Sequence, residues 1–380
     1  MAVLKDLFEL SVLNQCALES TRQSRWKDTT QRYIANMLVN NLELSNSVLS
    51  GNYKVSPTID FTINERGHIR HIEAPVVRDR IVQKTLTKSV LAPRLTKCLI
   101  YDNYASLPKR GTSFARKRFE VMLHRYFNRY GTDGYILLID IRKYFDSIDH
   151  DILKAMIAPR LADEPQDVKD LIDYIIDTSN HSNKGLNLGS EAPQIFAIYY
   201  LNTIDTFIKV VKGVKYYGRY MDDIFIIGRT KEELKMLLGE IKNKLSELKL
   251  EINEKKTQIV KLSHGFTYLQ IKYNVLASGK ILKRPAHNKI VRERRRLRAF
   301  KRMLDKGQMT LEDIQNCYQS WRGTFDKEHN AHNKTLRSMD ALYKSLFGEF
   351  REREKISRSA IIDAIYKDAE TSDLRYCLTI

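Results

Sequence analysis

The sequence has few of the features that indicate a secreted or zinc-binding protein. Its 380 residues include four cysteines, which lie far apart and form no Cys-x-x-Cys pair. This spacing argues against a disulfide framework and a zinc site, and it favours reduced thiols in a cytoplasm. The histidines show no paired zinc spacing either, and we interpret them as surface or structural residues: His68, His71, His150 and His287.

Long apolar runs are also missing. No stretch approaches the roughly 20 apolar residues that a membrane-spanning helix needs, so we expect no membrane partner. The first apolar stretch is interrupted by Lys5, Asp6 and Glu9. These charges predict an amphipathic helix rather than a secretory signal. We find no internal repeat and no low-complexity linker.

Positive charge is what the sequence has in excess. Lys and Arg number 64 against 46 Asp and Glu, which gives a net charge of +18 and a pI near 9.5. With 43% apolar and 29% charged residues, the composition is that of a globular protein. The excess favours a polyanionic partner, above all nucleic acid. A basic protein without such a partner, or one that touches anionic membrane, remains an alternative.

Hydrophobic periodicity divides the first part of the chain into a helical extension and a mixed region. Residues 1–50 have a helical pattern, and Gly51-Asn52 marks a break. Alternating apolar residues between Tyr53 and Ile72 predict strands with a turn at 65–67. We expect a helix from Arg78 to Leu91, closed by Pro93.

The middle of the chain predicts an α+β fold. Residues 135–141 are almost continuously apolar, which is typical of a strand covered on both faces. Helices are expected from about residue 149, over 167–178 and through 193–210. Residues 216–227 then predict a β-hairpin with acids at its turn, and a helix follows over 231–248. This order implies a sheet with helices on one face.

The composition changes after about residue 279. Residues 280–302 contain eleven Lys or Arg and one acid, Glu293. We expect a basic helical region to about residue 350, and the tail 351–380 has no assignment. The predicted divisions are therefore 1–50, 51–279, 280–350 and 351–380.

Three aspartates are the candidates for chemistry. Asp140 ends the buried strand, and Asp222-Asp223 lie at the hairpin turn. Carboxylates at the edge of an apolar sheet cost desolvation free energy unless a partner compensates, and Mg²⁺ favours carboxylate and phosphate oxygens. Two such ions about 3.5–4 Å apart assist in-line displacement at phosphorus. Taken singly, an Asp-Asp pair also suits an ordinary turn, and Asp140 also suits a helix cap.

The sequence resembles a reverse transcriptase over roughly residues 50–345. The stretch Asp140-Ile-Arg-Lys-Tyr-Phe-Asp-Ser-Ile-Asp-His150 is similar to the family's first palm motif, and Tyr220-Met-Asp-Asp223 matches its second metal motif. Further segments that resemble family motifs, in the family's order, are 69–83 and 104–112 (fingers of bacterial, group II intron-like members), 185–197 (the loop and helix that hold template and nucleotide), 250–257 (a lysine near the pyrophosphate) and 265–269 (the primer grip).

The resemblance implies a right-hand polymerase and a set of site residues. The palm would carry an antiparallel sheet with the Tyr-Met-Asp-Asp hairpin, residues 51–279 would form fingers and palm, and 280–350 a helical thumb. The implied metal ligands for two Mg²⁺, with Mn²⁺ as a substitute, are Asp140, the Ile141 carbonyl, Asp222 and Asp223. The implied contacts to nucleotide are Arg70, Arg78 or Arg80, Phe145 (which excludes a ribose 2′-hydroxyl), Gly189 and Gln194. Lys255 or Lys256 would serve the leaving pyrophosphate, with Lys255 the choice for the catalytic set. The implied nucleic-acid contacts are Gly111, Thr112, Tyr268, Arg292, Arg295, Arg296 and Arg298.

Departures from the family pattern limit assignment to a branch. Leu188-Gly189 stands where intron-encoded and retroviral enzymes carry Gln-Gly. Enzymes of diversity-generating retroelements end the same loop in Ser-Gln, where this chain has Pro193-Gln194. Related bacterial and prophage enzymes, several of them in anti-phage defence, are the other candidate relatives.

The implied function is cDNA synthesis in the cytoplasm from deoxynucleoside triphosphates. The implied template is a dedicated noncoding RNA, and an accessory protein or a second copy of the chain is a further candidate partner. Two alternatives remain: a palm-fold RNA polymerase or terminal transferase, and a non-catalytic RNA-binding scaffold.

Overall fold

A computed structural model describes residues 3–65, 68–180, 182–187, 189–330 and 333–349, without the side chains at positions 64, 65, 68, 70, 71, 326, 327 and 333. The tail 351–380 and part of the turn expected at 65–67 lie outside the described residues. The chain forms two compact units, Met1–Ile281 and Leu282–Ile380. Among the described residues, no helix combines the length and the apolar character needed to cross a membrane.

The first unit begins with the helices of residues 4–49, which share a hydrophobic core with the helix Val77–Leu86. Phe8, Leu13 and Leu44 are fully buried in this core. The helix Leu10–Thr21 packs against the helix Val77–Leu86. The elements are α1 (Leu4–Leu7), α2 (Leu10–Thr21), α3 (Asp28–Ala35), α4 (Met37–Leu49), the antiparallel hairpin of β1 (Ile59–Glu65) and β2 (His68–Ala74), and α5 (Val77–Leu86).

The expected end of the helical segment at Pro93 is wrong. After α5 the chain continues through a π-helical turn, Thr87–Leu91, into α6 (Ala92–Leu95). Pro93 lies just after the π-helical turn, and both a proline and a π-helical turn interrupt the regular hydrogen-bond ladder of a helix.

The central sheet has strand order β4-β5-β3-β6, with all pairs antiparallel. Its elements and the helices around it are α7 (Thr112–Tyr130), β3 (Tyr135–Ile139), α8 (Tyr144–Ser147), α9 (His150–Ile157), α10 (Gln166–Asp177), α11 (Glu191–Tyr200), α12 (Asn202–Thr206) with a π-helical turn Phe207–Val211, β4 (Tyr217–Tyr220), β5 (Asp223–Gly228), α13 (Lys231–Glu247) and β6 (Gln258–Lys261).

Strand β3 is covered on both faces, as its apolar run predicts. Leu137 and Ile139 join the core with α9 to α13. Ile136 and Leu138 join a second core with α7 and the strands β7 (Phe266–Tyr268), β8 (Ile271–Val275) and β9 (Ile281–Pro285). No helix was predicted over 112–130, so the sequence pattern did not reveal this second layer.

The second unit is helical and has an aromatic core. It contains α14 (His287–Asp305), α15 (Leu311–Glu328) and α16 (Asn333–Phe347). Tyr318 stacks on Tyr343 and on Trp321. Thr310 and Asp313 form a capping box that satisfies backbone amides at the start of α15. The predicted α+β fold with an antiparallel sheet and a helical C-terminal region is confirmed.

Candidate active site

The sheet register brings the predicted carboxylates together. Ile139 of β3 pairs with Ile224 of β5, so Asp140 emerges level with Asp223. Asp222 lies in the adjoining turn, where β4 and β5 meet through the pair Tyr220 and Asp223. The acids are therefore near neighbours although 82 positions separate Asp140 from Asp222.

Electrostatics show that Asp140 and Asp222 interact. Burial raises the pKa of Asp222 above its ordinary value, and the Asp140 carboxylate raises it further, whereas Lys256 and Arg219 partly oppose the shift. Two like charges at a poorly solvated sheet edge form a site that a cation would stabilise.

Lys256, rather than Lys255, reaches the carboxylates. Its Nζ atom lies 3.0 Å from Asp140 Oδ2. The register of β6 explains this contact: Leu138 pairs with Gln258, so two residues further on Asp140 is level with position 256. Lys255 instead lines a separate surface cavity with Arg142. Of the two candidate lysines, Lys256 is therefore the one that contacts a proposed metal ligand.

Phe145 lies beside the loop that leads to α11. Its carbonyl accepts a hydrogen bond from the Leu186 amide at 3.0 Å, and the Gly185 amide donates to Ile148 at 2.7 Å. These bonds anchor the loop against the segment that follows Asp140. The Phe145 ring is half-buried and packs edge-on against Tyr144, so part of it remains available to a ligand.

Gly189 is required for backbone reasons. Its φ is +122°, and an added Cβ would lie 3.4 Å from Pro75 and close to the Ala74 backbone. A side chain here would be strained by the positive φ, while its Cβ would make only ordinary contacts with Pro75 and Ala74. Leu188 lies outside the described residues.

One face of α5 is turned toward the start of α11. Gln83 accepts a hydrogen bond from the Ser190 hydroxyl, and Lys84 donates to Glu191 at 2.6 Å. Arg80 lies three and four positions before these residues, and therefore on the same helix face. Burial lowers the pKa of Arg80, and its Nε atom has no hydrogen-bond partner among the described residues.

Arg78 faces a different way. Its guanidinium donates to the Lys54 carbonyl at 3.0 Å and to the Ser47 hydroxyl at 3.1 Å, and it lies over the Tyr53 ring. Arg78 thus ties α5 to the N-terminal helices, whereas Arg80 faces the loop. Arg70 lies in β2 opposite Ile63, but its side chain is outside the description.

A protein-family profile matches this chain. The profile described as reverse transcriptase (RNA-dependent DNA polymerase) matches residues 60–273, which is more than half of the chain. The chain belongs to the reverse transcriptase family. No curated protein matches the sequence.

Telomerases from two Candida species are among the solved structures to which the chain is similar. A Candida tropicalis apo telomerase truncated from its C-terminal domain is 16% identical with a TM-score of 0.49, over 64% of this chain and 59% of that one. The apo telomerase of Candida tropicalis is 14% identical with a TM-score of 0.47, over 88% of this chain and 72% of that one. The Candida albicans telomerase in complex with a TWJ fragment of telomeric RNA is 11% identical with a TM-score of 0.47, over 84% of this chain and 63% of that one. The chain thus spans about three fifths of the first of these structures.

The chemistry of the carboxylates in this reverse transcriptase suits divalent metal. Asp140 and Asp222 offer hard oxygen donors, and their mutual repulsion is only partly offset by Lys256. Within the described residues, no group of three or more acidic, His or Cys side chains is already arranged as a metal cluster. Asp223 is level with Asp140 and interacts electrostatically with Tyr220 and Tyr268. Asp140, Asp222 and Asp223 therefore supply the oxygen donors that divalent metals favour.

Of the predicted nucleic-acid or nucleotide contacts in this reverse transcriptase, Thr112 and Gln194 are exposed and Gly111 is half-buried. Gly111 and Thr112 begin α7, a 19-residue helix, and such a terminus attracts phosphate. Gln194 is exposed on α11 and accepts a hydrogen bond from Ser106 at 2.9 Å. These residues remain predictions, in positions compatible with a bound strand.

The prediction for Tyr268 is wrong as a direct contact. Its side chain is 3% exposed and belongs to the second core. Strand alternation explains this, because Phe266 and Tyr268 point inward and Thr267 points outward. The turn after Tyr268 has left-handed backbone at Leu269 and Gln270, and Arg116 donates to the Leu269 carbonyl at 2.8 Å. The turn, rather than the tyrosine ring, is the accessible part.

The predicted thumb arginines lie on α14. Arg292, Arg295, Arg296 and Arg298 are exposed and, at about 100° per residue, span an arc of roughly 160°. Arg296 also lies over Phe300 and is 3.5 Å from Glu293. The other three are the better candidates for phosphate.

Sequence reasoning missed Arg219 and Asp205. Both are fully buried, and they form an ion pair at 2.5 Å beneath the hairpin turn. The sequence contained a signal for this ion pair. Strand alternation in the hairpin turns Arg219 inward together with Tyr217, and a buried arginine is expected to pair with a buried acid.

Proposed function

We propose that the chain is an RNA-directed DNA polymerase that synthesises cDNA by two-metal nucleotidyl transfer. The observation that carries this proposal is the meeting of Asp140 and Asp222 beside Lys256 at one edge of the sheet. Membership of the reverse transcriptase family supports it.

In this proposal each residue near the sheet edge has a chemical task. Asp140, Asp222, Asp223 and the Ile141 carbonyl would hold two Mg²⁺ ions, or Mn²⁺ in their place. Bound ions would activate the 3′-hydroxyl and offset the charge that develops on the triphosphate. Lys256 would donate hydrogen bonds, or a proton, to the leaving pyrophosphate.

Three residues would select, orient and accommodate the incoming nucleotide. The Phe145 ring leaves no room for a ribose 2′-hydroxyl, which favours deoxynucleotides. The Arg80 guanidinium, buried at Nε and without an acidic partner in the described part of the chain, would donate to triphosphate oxygens. Gly189 would allow the backbone to approach the nucleotide closely.

We further propose that the template is a dedicated noncoding RNA, used in a retroelement or in anti-phage defence in a bacterial cytoplasm. The net charge of +18 supports a nucleic-acid partner, and the fingers-like segments 69–83 and 104–112 support the bacterial lineage. Residues 51–279 would serve as fingers and palm, and 280–350 as thumb. An accessory protein or a second copy of the chain completes the proposed set of partners.

The test is synthesis by the purified chain on a primed RNA template with deoxynucleotides and Mg²⁺. We expect a DNA product that disappears in Asp222→Ala and persists in Asp170→Ala, an exposed aspartate on α10. A preference for ribonucleotides, or extension without template, would favour the polymerase or transferase alternative. Biological function retained by the double variant Asp222→Ala, Asp223→Ala would favour a scaffold.

A further inference from the structure

Arg219 occupies an unusual position directly beneath the proposed metal site. It lies on β4, three residues before Asp222, and its side chain is fully buried. The guanidinium donates to both carboxylate oxygens of Asp205, from Nε at 2.8 Å and from Nη2 at 2.5 Å. It also donates to two backbone carbonyls, Met221 at 2.8 Å and Ile198 at 2.9 Å.

The bond to Met221 bears directly on the turn. Met221 has φ +55°, a left-handed conformation that residues other than glycine rarely adopt. Its carbonyl belongs to the peptide that leads into Asp222. By holding this oxygen, Arg219 fixes the orientation of the peptide from which the Asp222 side chain departs.

The bond to Ile198 links the turn to the nucleotide side of the site. Ile198 lies in the last turn of α11, where carbonyls lack amide partners within the helix. It follows Gln194 by one helical turn on the same face. The Arg219 backbone extends the connection, since its amide donates to the Asp102 carbonyl and its own carbonyl accepts from the Tyr104 amide.

Asp205 keeps the guanidinium in place. It is fully buried on α12, and one of its oxygens also accepts a hydrogen bond from Tyr217. Tyr217 and Arg219 share one face of β4 because strand side chains alternate. The planar fork of an arginine can satisfy a carboxylate and two carbonyls at once, whereas a lysine ammonium cannot reproduce that geometry.

We propose that Arg219 is a positioning residue that holds the Met221–Asp222 turn in the geometry in which Asp222 binds metal, with Asp205 as its anchor. This inference deepens the proposed function and rests on it for its kinetic consequence. Arg219 acts through Met221 and Asp222, and it does not itself touch substrate.

The test replaces Arg219 by lysine, which keeps the charge next to Asp205 but loses the fork. The readouts are Mn²⁺ affinity, measured by electron paramagnetic resonance on folded protein, and steady-state kinetics. We expect Mn²⁺ affinity to fall about tenfold and kcat at fixed Mn²⁺ to fall at least tenfold. The KM for deoxynucleotide and the affinity for primed template should stay within about twofold.

A matched control separates positioning from general destabilisation. Arg94→Lys alters another arginine that pairs with a buried acid, Glu164, at 2.6 Å. We expect it to lower thermal stability and to leave Mn²⁺ affinity unchanged. Equal Mn²⁺ affinities of wild type and Arg219→Lys, or equal losses in Arg219→Lys and Arg94→Lys, would overturn the proposal, as would a wild-type chain that binds no Mn²⁺.

A milder variant covers the case in which Arg219→Lys does not fold. Tyr217→Phe removes one hydrogen bond to Asp205 with little change in volume, and we expect about a threefold loss of Mn²⁺ affinity. Wild-type affinity in this variant would then overturn the proposal. If no DNA is made by wild type while these differences in affinity persist, the proposed function fails and the positioning role stands.

Discussion

Two buried acids, one in each unit, are hydrogen-bonded to different degrees. In the first unit Asp205 and Arg219 are both fully buried, and each Asp205 oxygen accepts a hydrogen bond from Arg219. In the second unit Glu293 is 3% exposed, one of its oxygens lies 3.5 Å from Arg296, and the other has no partner among the described residues. Burial accordingly raises the pKa of Glu293, against the opposing effect of Arg296 and Arg292.

The difference shows what a buried charge can contribute. A fully bonded pair holds backbone in a defined place, and in the first unit that place is the turn before Asp222. A partly bonded acid fixes little of the surrounding backbone, and burial destabilises its ionised form. Four variants test or sharpen this contrast.

The largest effect is expected for Asp205→Ala. It leaves the Arg219 guanidinium buried without its counter-charge, and such losses typically cost about 3–5 kcal/mol. Urea denaturation followed by circular dichroism measures the change. The control is Asp305→Ala, which removes an exposed ion pair with Lys301 and should change stability by less than about 0.5 kcal/mol. Equal effects would contradict the contrast.

Arg80→Ala should act mainly on nucleotide affinity. Loss of charged hydrogen bonds to the triphosphate corresponds to about 1.5–3 kcal/mol, or roughly a 10- to 100-fold rise in the KM for deoxynucleotide. Arg78→Ala is the matched variant. Because Arg78 bonds to Lys54 and Ser47, we expect it to lower stability with little change in KM. The reverse pattern would assign the nucleotide contact to Arg78.

Removal of Arg292, Arg295 and Arg298, three of the exposed arginines of α14, should weaken nucleic-acid binding through salt-dependent contacts. The triple variant Arg292→Ala, Arg295→Ala, Arg298→Ala loses up to three phosphate contacts. The slope of log affinity against log salt should then fall in magnitude by about 2–3. Binding titrations at several salt concentrations measure the slope. An unchanged slope would place the duplex on another surface.

The smallest effect is expected for Glu293→Gln. Between the ordinary pKa of the unfolded glutamate and the raised value of the folded one, the native state binds more protons than the unfolded state. Stability of the second unit therefore falls as the pH rises through that window. The glutamine variant should lack this fall and be more stable than wild type at neutral pH. Hydrogen exchange resolved by mass spectrometry, from pH 4 to pH 8, compares the two proteins unit by unit.

Local pattern sufficed for much of the site. The apolar run before Asp140 predicts a strand buried on both faces, and the hairpin with acids at its turn follows from alternation on either side of Asp222. These features depend on neighbouring residues, so the sequence reveals them directly. Pro93 was misread because proline usually ends a helix, whereas here the helical segment continues past it after a π-helical turn.

The sequence by itself indicated the family and the mixed fold, and it singled out the three aspartates, because the motifs that contain them are short contiguous segments. Tertiary structure alone decided that Lys256 rather than Lys255 reaches Asp140, that Arg80 rather than Arg78 faces the loop before α11, and that Tyr268 is buried. Each of these outcomes depends on strand register or on which helix face meets another element. Register and packing are set by distant parts of the chain, and a single sequence read along its length does not contain them explicitly.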